Sequence, residues 1–158
     1  YVNNTDTGNI KYWMSEEYDG RWRWIFYDVD WAFWFKDMNG LKFYTNPEGN
    51  GVGHFFRNDI LRGLLENPAY KRKFIERFAY HINVTFEPDR VIARIDEIAG
   101  MIDSEMPRDK ERWSGSYSGW KDYVEAKRDY AVYRNKTAKQ QLQEYFGLSD
   151  ARMKELFG

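Results

Sequence analysis

Residues 9–30, NIKYWMSEEYDGRWRWIFYDVD, decide how the chain begins to fold. Residues 9–14 are rich in side chains that favour extended backbone, which predicts a short strand. Residues 21–28 alternate large aromatic side chains with other residues, as a second strand does. An Asp-Gly pair lies between these two aromatic-rich runs, and that pair is typical of a tight hairpin turn. The stretch therefore predicts an antiparallel β-hairpin.

The spacing of apolar residues changes to the period of a helix after this hairpin. A stretch rich in Gly, Asn and Pro at residues 39–53 predicts a surface loop before the first helix. Pro68 and Pro88 each stand where a further helix is expected to begin, because proline is favoured in the first turn.

Towards the end of the chain, the polar residues 107–119 predict another loop, and residues 120–146 predict a long helix. Gly147 is expected to end that helix, and Ser149 to cap a last short helix. The expected fold class is α+β and mainly helical. We expect an N-terminal β-hairpin followed by a helical bundle, in a single domain over residues 1–158.

The composition excludes several classes of function. The 24 basic and 25 acidic residues give a net charge of −1, so no charge surplus is available to hold a phosphate backbone, and we expect no nucleic-acid partner. No apolar run approaches the roughly 20 residues that span a bilayer, so we expect no membrane span. The absence of cysteine excludes disulfides, thiolate zinc sites and cysteine nucleophiles.

Four polar side chains are expected to meet at one end of the hairpin. Asp6 and Asn9 precede or begin the first strand, and Asp28 and Asp30 close the second. Carboxylate and amide oxygens without histidine or cysteine suit Mg²⁺ or Mn²⁺ rather than zinc. The alternative is structural: Asp6 and Asn9 shape a turn, and Asp28 ends a strand. The pattern alone leaves both readings open.

The aromatic residues and histidines are expected to be structural. Aromatic side chains make up 19% of the chain. Five tryptophans crowd the hairpin region, and we expect them to pack in the core rather than to form a sugar- or peptide-binding platform; they are Trp13, Trp22, Trp24, Trp31 and Trp34. His54 and His81 have no carboxylate at ligand spacing.

The run Asn4-x-Asp6-x-x-Asn9, followed by GRWRWIFYDVDWAF at residues 20–33, resembles the CotH family. These are atypical kinases similar to spore coat protein H. LLENPAYK at residues 64–71 and YFGL at residues 145–148 also fit this family, so the similarity spans essentially the whole chain.

The resemblance implies an ATP-dependent protein kinase that phosphorylates serine on coat or surface proteins. By the match, Asp6 is the catalytic aspartate that contacts the substrate hydroxyl, and Asp28 is the metal-binding aspartate. Asn9 is implied as a second ligand and Asp30 as a possible one for Mg²⁺ or Mn²⁺. The spacing does not settle whether Asp28 or Asp30 is the main ligand.

The same resemblance implies a bilobal kinase-like fold, of which this chain resembles the C-terminal lobe. The N-terminal lobe, with its phosphate-covering loop, lysine and much of the adenine pocket, would precede Tyr1. We therefore expect this fragment to bind nucleotide weakly and to transfer no phosphate at a useful rate. The alternative is a non-catalytic coat or surface interaction module on a kinase-like scaffold. A location in the spore coat or at the cell surface follows only by analogy with the family.

Overall fold

The structure is a computed structural model that describes residues 1–9, 11–50 and 57–158. His54 therefore lies outside the described residues. The chain divides into two compact units, one formed by Val2–Glu66 and the other by Tyr1 with Asn67–Gly158. The single domain over residues 1–158 stays a prediction.

The Val2–Glu66 unit contains the predicted hairpin. Strand β1 covers Lys11–Trp13 and pairs antiparallel with strand β2, Arg23–Ile25. The backbone carbonyl of Ser15 accepts a hydrogen bond from the Gly20 N–H at 2.9 Å, which closes the turn. Gly20 has a φ of +66°, in the left-handed region that glycine adopts without strain. The hairpin is confirmed, and its described strands are shorter than predicted.

The tryptophans of the hairpin region are exposed, so the prediction that they pack in the core is wrong. Their exposed fractions run from 40% for Trp13 and 41% for Trp31, through 53% for Trp34, to 59% for Trp22 and Trp24. A two-stranded ladder of three-residue strands offers little surface against which large side chains can be buried. Aromatic content alone did not indicate the core.

Two short helices follow in the described part of this unit. Helix α1 covers Gly40–Tyr44 and helix α2 covers Asp59–Glu66. The prediction of a loop throughout residues 39–53 is wrong over α1, because the Asn39 side chain accepts from the Lys42 N–H at 3.1 Å and caps the helix. The residues typical of loops are also those that cap helices.

The second unit is helical throughout its regular structure. Its elements are α3 (Pro68–Tyr80), a π-helical turn (His81–Thr85), α4 (Pro88–Ile102), a 3₁₀ turn (Asp103–Glu105), α5 (Met106–Trp113), α6 (Tyr117–Phe146) and α7 (Asp150–Phe157). The helix starts predicted at the two prolines are confirmed.

Of the other predictions for this unit, two are confirmed and one is wrong. Gly147 ends α6 and the Ser149 side chain caps α7, as predicted. The loop predicted at residues 107–119 is wrong over α5, since its charged residues form the exposed face of a helix. The core lies along α6, where Ala131, Ala138 and Leu142 are fully buried, and α4 packs against this helix. No helix in the described ranges is long and apolar enough to cross a membrane.

Replacing Gly147 and Gly100 by alanine, one at a time, is expected to change the free energy of unfolding in opposite directions. Gly147 has a φ of +61°, and a Cβ there would meet no described heavy atom within 4 Å, so Gly147→Ala suffers only backbone strain, about 1 kcal/mol. Gly100 lies inside α4 with equally open space, so Gly100→Ala should add roughly 0.5–1 kcal/mol of stability. Urea unfolding of both variants measures the difference. A Gly147→Ala variant as stable as the unmodified chain would contradict the role of Gly147 as a left-handed helix cap.

Candidate metal-binding and catalytic site

The hairpin brings together the four site residues expected from the sequence. The Asn9 side-chain amide donates one hydrogen bond to Asp6 Oδ2 at 2.8 Å and another to Asp28 Oδ2 at 2.6 Å. Asn9 and Asp28 lie at the same end of the ladder, one before β1 and the other after β2. The two carboxylates therefore converge on one amide nitrogen.

The loop before β1 is shaped by side chains that bond to nearby backbone. Asp6 Oδ1 accepts from the Gly8 N–H at 3.1 Å, and Asn4 Oδ1 accepts from the Asp6 N–H at 3.1 Å. Such bonds to a backbone amide two residues ahead are the usual way in which Asp and Asn form turns. Asp6 therefore shapes this turn through one oxygen and presents the other to Asn9. The turn-forming interpretation therefore holds for Asp6, and its role in a metal or catalytic site stays a prediction.

Asp28 adopts an unusual backbone conformation. Its φ is +51°, in the left-handed region, where Asp and Asn occur more often than other residues with a Cβ atom. The Asn4 side-chain amide donates to the Asp28 carbonyl at 3.4 Å. Asp28, three residues after the end of β2, is thus linked to the loop before β1.

The electrostatics of the cluster favour a cation. Loss of hydration, followed by the Asp30 carboxylate and then by that of Asp6, raises the pKa of Asp28, while the Asn9 hydrogen bond opposes that rise. The neighbouring carboxylates therefore repel the ionised form of Asp28. A divalent cation at this point would relieve the repulsion.

The donor atoms fit Mg²⁺ or Mn²⁺ when phosphate or water supplies the remaining ligands. Among the described residues, no three side chains of His, Cys, Asp or Glu form a metal-binding group. Two carboxylates and one amide converge instead, and Mg²⁺ is commonly bound through one or two carboxylates together with substrate phosphates. A half-turn of the Asn9 amide would present its oxygen where its nitrogen now lies. Asp30 lies beside Asp28, where its charge and a side-chain hydrogen bond between the two residues both raise the pKa of Asp28.

A cleft of about 570 Å³ opens beside these residues, within the Val2–Glu66 unit. Asp6 and Asn9 form part of its lining, and Tyr12 and Trp24 form part of its apolar wall. The volume lies in the range of roughly 300–1,000 Å³ that is usual for small-molecule sites. Arg57 is the cation among the described lining residues, and its guanidinium pairs with Asp59 at 2.9 Å.

Sequence reasoning did not identify two residues around the site. Asn4 was part of the quoted motif, and its position two residues before Asp6 is a signal for a turn-forming side chain. Tyr44 donates its hydroxyl to the Asn4 carbonyl from 40 residues away. No local pattern could have indicated that contact.

One comparison with known proteins, that with family models, agrees with the resemblance. No curated protein and no solved structure matches the chain. A protein-family model described as CotH kinase protein matches residues 1–138 of the 158 residues. That match includes Asp6, Asn9, Asp28 and Asp30 as well as most of the helical unit. The chain belongs to the CotH kinase protein family.

Proposed function

We propose that this chain carries the metal-binding and catalytic end of an ATP-dependent protein serine kinase. Its family makes it a kinase-family protein, for which ATP, a divalent cation and a protein substrate are expected in general. The convergence of Asp6 and Asp28 on the Asn9 amide is the observation that carries the finer proposal.

Each residue has a distinct role in this proposal. Asp28 is the main ligand for Mg²⁺ or Mn²⁺, since its carboxylate meets Asn9 directly, and Asn9 is the second ligand. Asp30 adds negative charge beside them. The bound ion neutralises phosphate charge during transfer. Asp6 orients the serine hydroxyl of the substrate and accepts its proton.

The proposal includes weak nucleotide binding by this chain alone. In the described lining of the cleft, the positive charge comes from Arg57, which Asp59 already neutralises in part. Triphosphate binding needs cations that are free to pair with it. We also propose, by family analogy, a coat or surface protein as the substrate, in the spore coat or at the cell surface.

Replacing Asp28 tests the proposed metal site. Asp28→Asn keeps the size of the side chain and its ability to accept from Asn9, but removes its charge. We expect Mn²⁺ affinity, measured by calorimetric titration of the chain, to fall by at least the roughly 10- to 100-fold that loss of a residue behind a metal ligand costs, because Asp28 is itself a proposed ligand. The control is Asp37→Asn, an exposed aspartate of the same unit.

Two results would overturn the metal site. One is equal Mn²⁺ affinity in Asp28→Asn and the unmodified chain. The other is the absence of Mn²⁺ binding by the folded, unmodified chain at millimolar concentrations. Circular dichroism of each variant shows whether the chain is folded in the titration.

A non-catalytic interaction module is the second candidate function. The exposed aromatic surface of the hairpin favours it, since Trp22 is 59% exposed and Phe26 is 79% exposed. Large exposed apolar side chains that lie close together commonly mark interaction sites. This candidate predicts that Asp6→Asn leaves the biological role of the protein intact and that Trp22→Ala impairs it. The kinase proposal predicts that Asp6→Asn abolishes that role.

A further inference from the structure

The Asn4 side chain connects the two chain segments that carry Asp6 and Asp28. Its Oδ1 accepts from the Asp6 N–H at 3.1 Å, and its Nδ2 donates to the Asp28 carbonyl at 3.4 Å. We propose that Asn4 is a positioning residue that sets the separation of the Asp6 and Asp28 carboxylates. Its effect on phosphate transfer rests on the proposed function, whereas the positioning itself needs no metal.

Hydrogen bonds from neighbouring parts of the unit fix the backbone around Asn4. The Tyr44 hydroxyl donates to the Asn4 carbonyl, and the Tyr44 ring is half-buried. The preceding residue, Asn3, is only 2% exposed, and its amide donates to the carbonyls of Phe35 at 2.7 Å and Met38 at 2.9 Å. The Asn4 backbone is therefore fixed, and its amide can act as a rigid bridge.

The Asn4 side chain bonds to Asp28, whose backbone conformation is unusual. With a φ of +51°, Asp28 holds a conformation that a residue with a Cβ atom rarely adopts. The Asn4 amide donates to the carbonyl of this same residue at 3.4 Å. In this conformation the Asp28 carboxylate accepts the Asn9 hydrogen bond at 2.6 Å.

The bonds to the Asp6 N–H and to the Asp28 carbonyl need both the oxygen and the nitrogen of the Asn4 amide. An aspartate at position 4 could accept from the Asp6 N–H but could not donate to the Asp28 carbonyl, because an ionised carboxylate is an acceptor only. It would also place another negative charge beside Asp6 and Asp28. An alanine at this position would remove both bonds.

The chain offers a matched control for Asn4→Ala. The Asn46 side chain accepts from the Glu48 N–H at 3.1 Å and donates to the Gly49 carbonyl at 2.9 Å. Asn46 thus makes the same two kinds of bond, in the same unit, to residues outside the site. Asn46→Ala measures what the loss of such a pair of bonds does by itself.

The first readout is the Asn9 side-chain amide, followed by ¹⁵N NMR of the 158-residue chain. In the unmodified chain its protons donate to two carboxylates and should resonate downfield of a free amide. In Asn4→Ala we expect both resonances to move towards those of free asparagine. In Asn46→Ala they should stay where they are. The second readout is Mn²⁺ affinity, which should fall about tenfold in Asn4→Ala only.

The outcomes separate this inference from the proposed function. Unmoved Asn9 resonances in a folded Asn4→Ala variant would overturn the positioning role. If the resonances move but the unmodified chain binds no Mn²⁺, the positioning role stands and the metal site falls. If Asn4→Ala does not fold, Tyr44→Phe removes one hydroxyl and keeps the ring. Its Asn9 resonances should then move in the same direction by a smaller amount, and unmoved resonances would again overturn the inference.

Discussion

Asp6→Asn is expected to lower phosphate transfer by the proposed kinase about 100- to 10,000-fold, the usual contribution of a positioned general base. The variant keeps a side-chain oxygen that can accept from the Gly8 N–H, as Asp6 Oδ1 does at 3.1 Å. The loop should therefore keep its shape while the base is lost. Transfer of labelled phosphate from ATP to a serine-containing protein measures the effect.

Because Asp6 and Asp28 have different proposed roles, their substitutions should have different effects. Asp6→Asn should affect Mn²⁺ affinity less than Asp28→Asn does, because Asp28 is the proposed main ligand. Asp37→Asn again serves as the control and should transfer phosphate at the unmodified rate. If the Asp6→Asn rate lies within a few-fold of the unmodified rate, Asp6 is not the catalytic base.

Arg134→Ala is expected to cause the largest loss of stability. Arg134 is 1% exposed in the middle of α6, where its Nε donates to the Tyr1 carbonyl at 3.2 Å and its Nη1 to Gln141 Oε1 at 3.0 Å. Truncation leaves Gln141 Oε1 without this donor and opens a cavity in the helical unit. Together these effects should cost about 3–5 kcal/mol. Urea unfolding, followed by circular dichroism, measures the loss.

Arg128, also on α6, provides the matched control. It too donates two hydrogen bonds, to Asp96 at 2.7 Å and to Glu125 at 2.6 Å, but its side chain is 33% exposed. Exposed ion pairs are worth roughly 0.2–1 kcal/mol, so Arg128→Ala should cost no more than that. Equal losses in the two variants would show that burial does not determine the importance of Arg134.

The convergence of Asp6, Asn9 and Asp28 was predictable because a hairpin is a local structure. An Asp-Gly turn between two aromatic runs specifies which ends of the strands meet, and the residues at those ends then follow. The bridge through Asn4 and its support by Tyr44 were not predictable in the same way. Tyr44 lies in a segment whose Gly and Asn content predicted a loop, and its contact with Asn4 spans 40 residues.

The helices likewise include features that the sequence predicted and features that it did not. Helix starts at proline and the helix end at Gly147 depend on backbone geometry, which one or two residues determine. Helices α1 and α5 lack a clear apolar stripe, so periodicity did not indicate them. The hairpin tryptophans were placed wrongly because burial depends on which layers exist to cover a side chain.

The sequence by itself determined the family, the hairpin, the mainly helical remainder and the identity of the acidic residues at the hairpin end. These follow from turn chemistry, periodicity and a motif, all of which act over a few neighbouring residues. Only the tertiary structure decided that Asn9 donates to both carboxylates, that Asp28 is left-handed and that Asn4 spans the two segments. The bonds from Asn9 and Asn4 to Asp28 join residues far apart in the chain, and such bonds form only when the fold brings both partners within hydrogen-bonding distance.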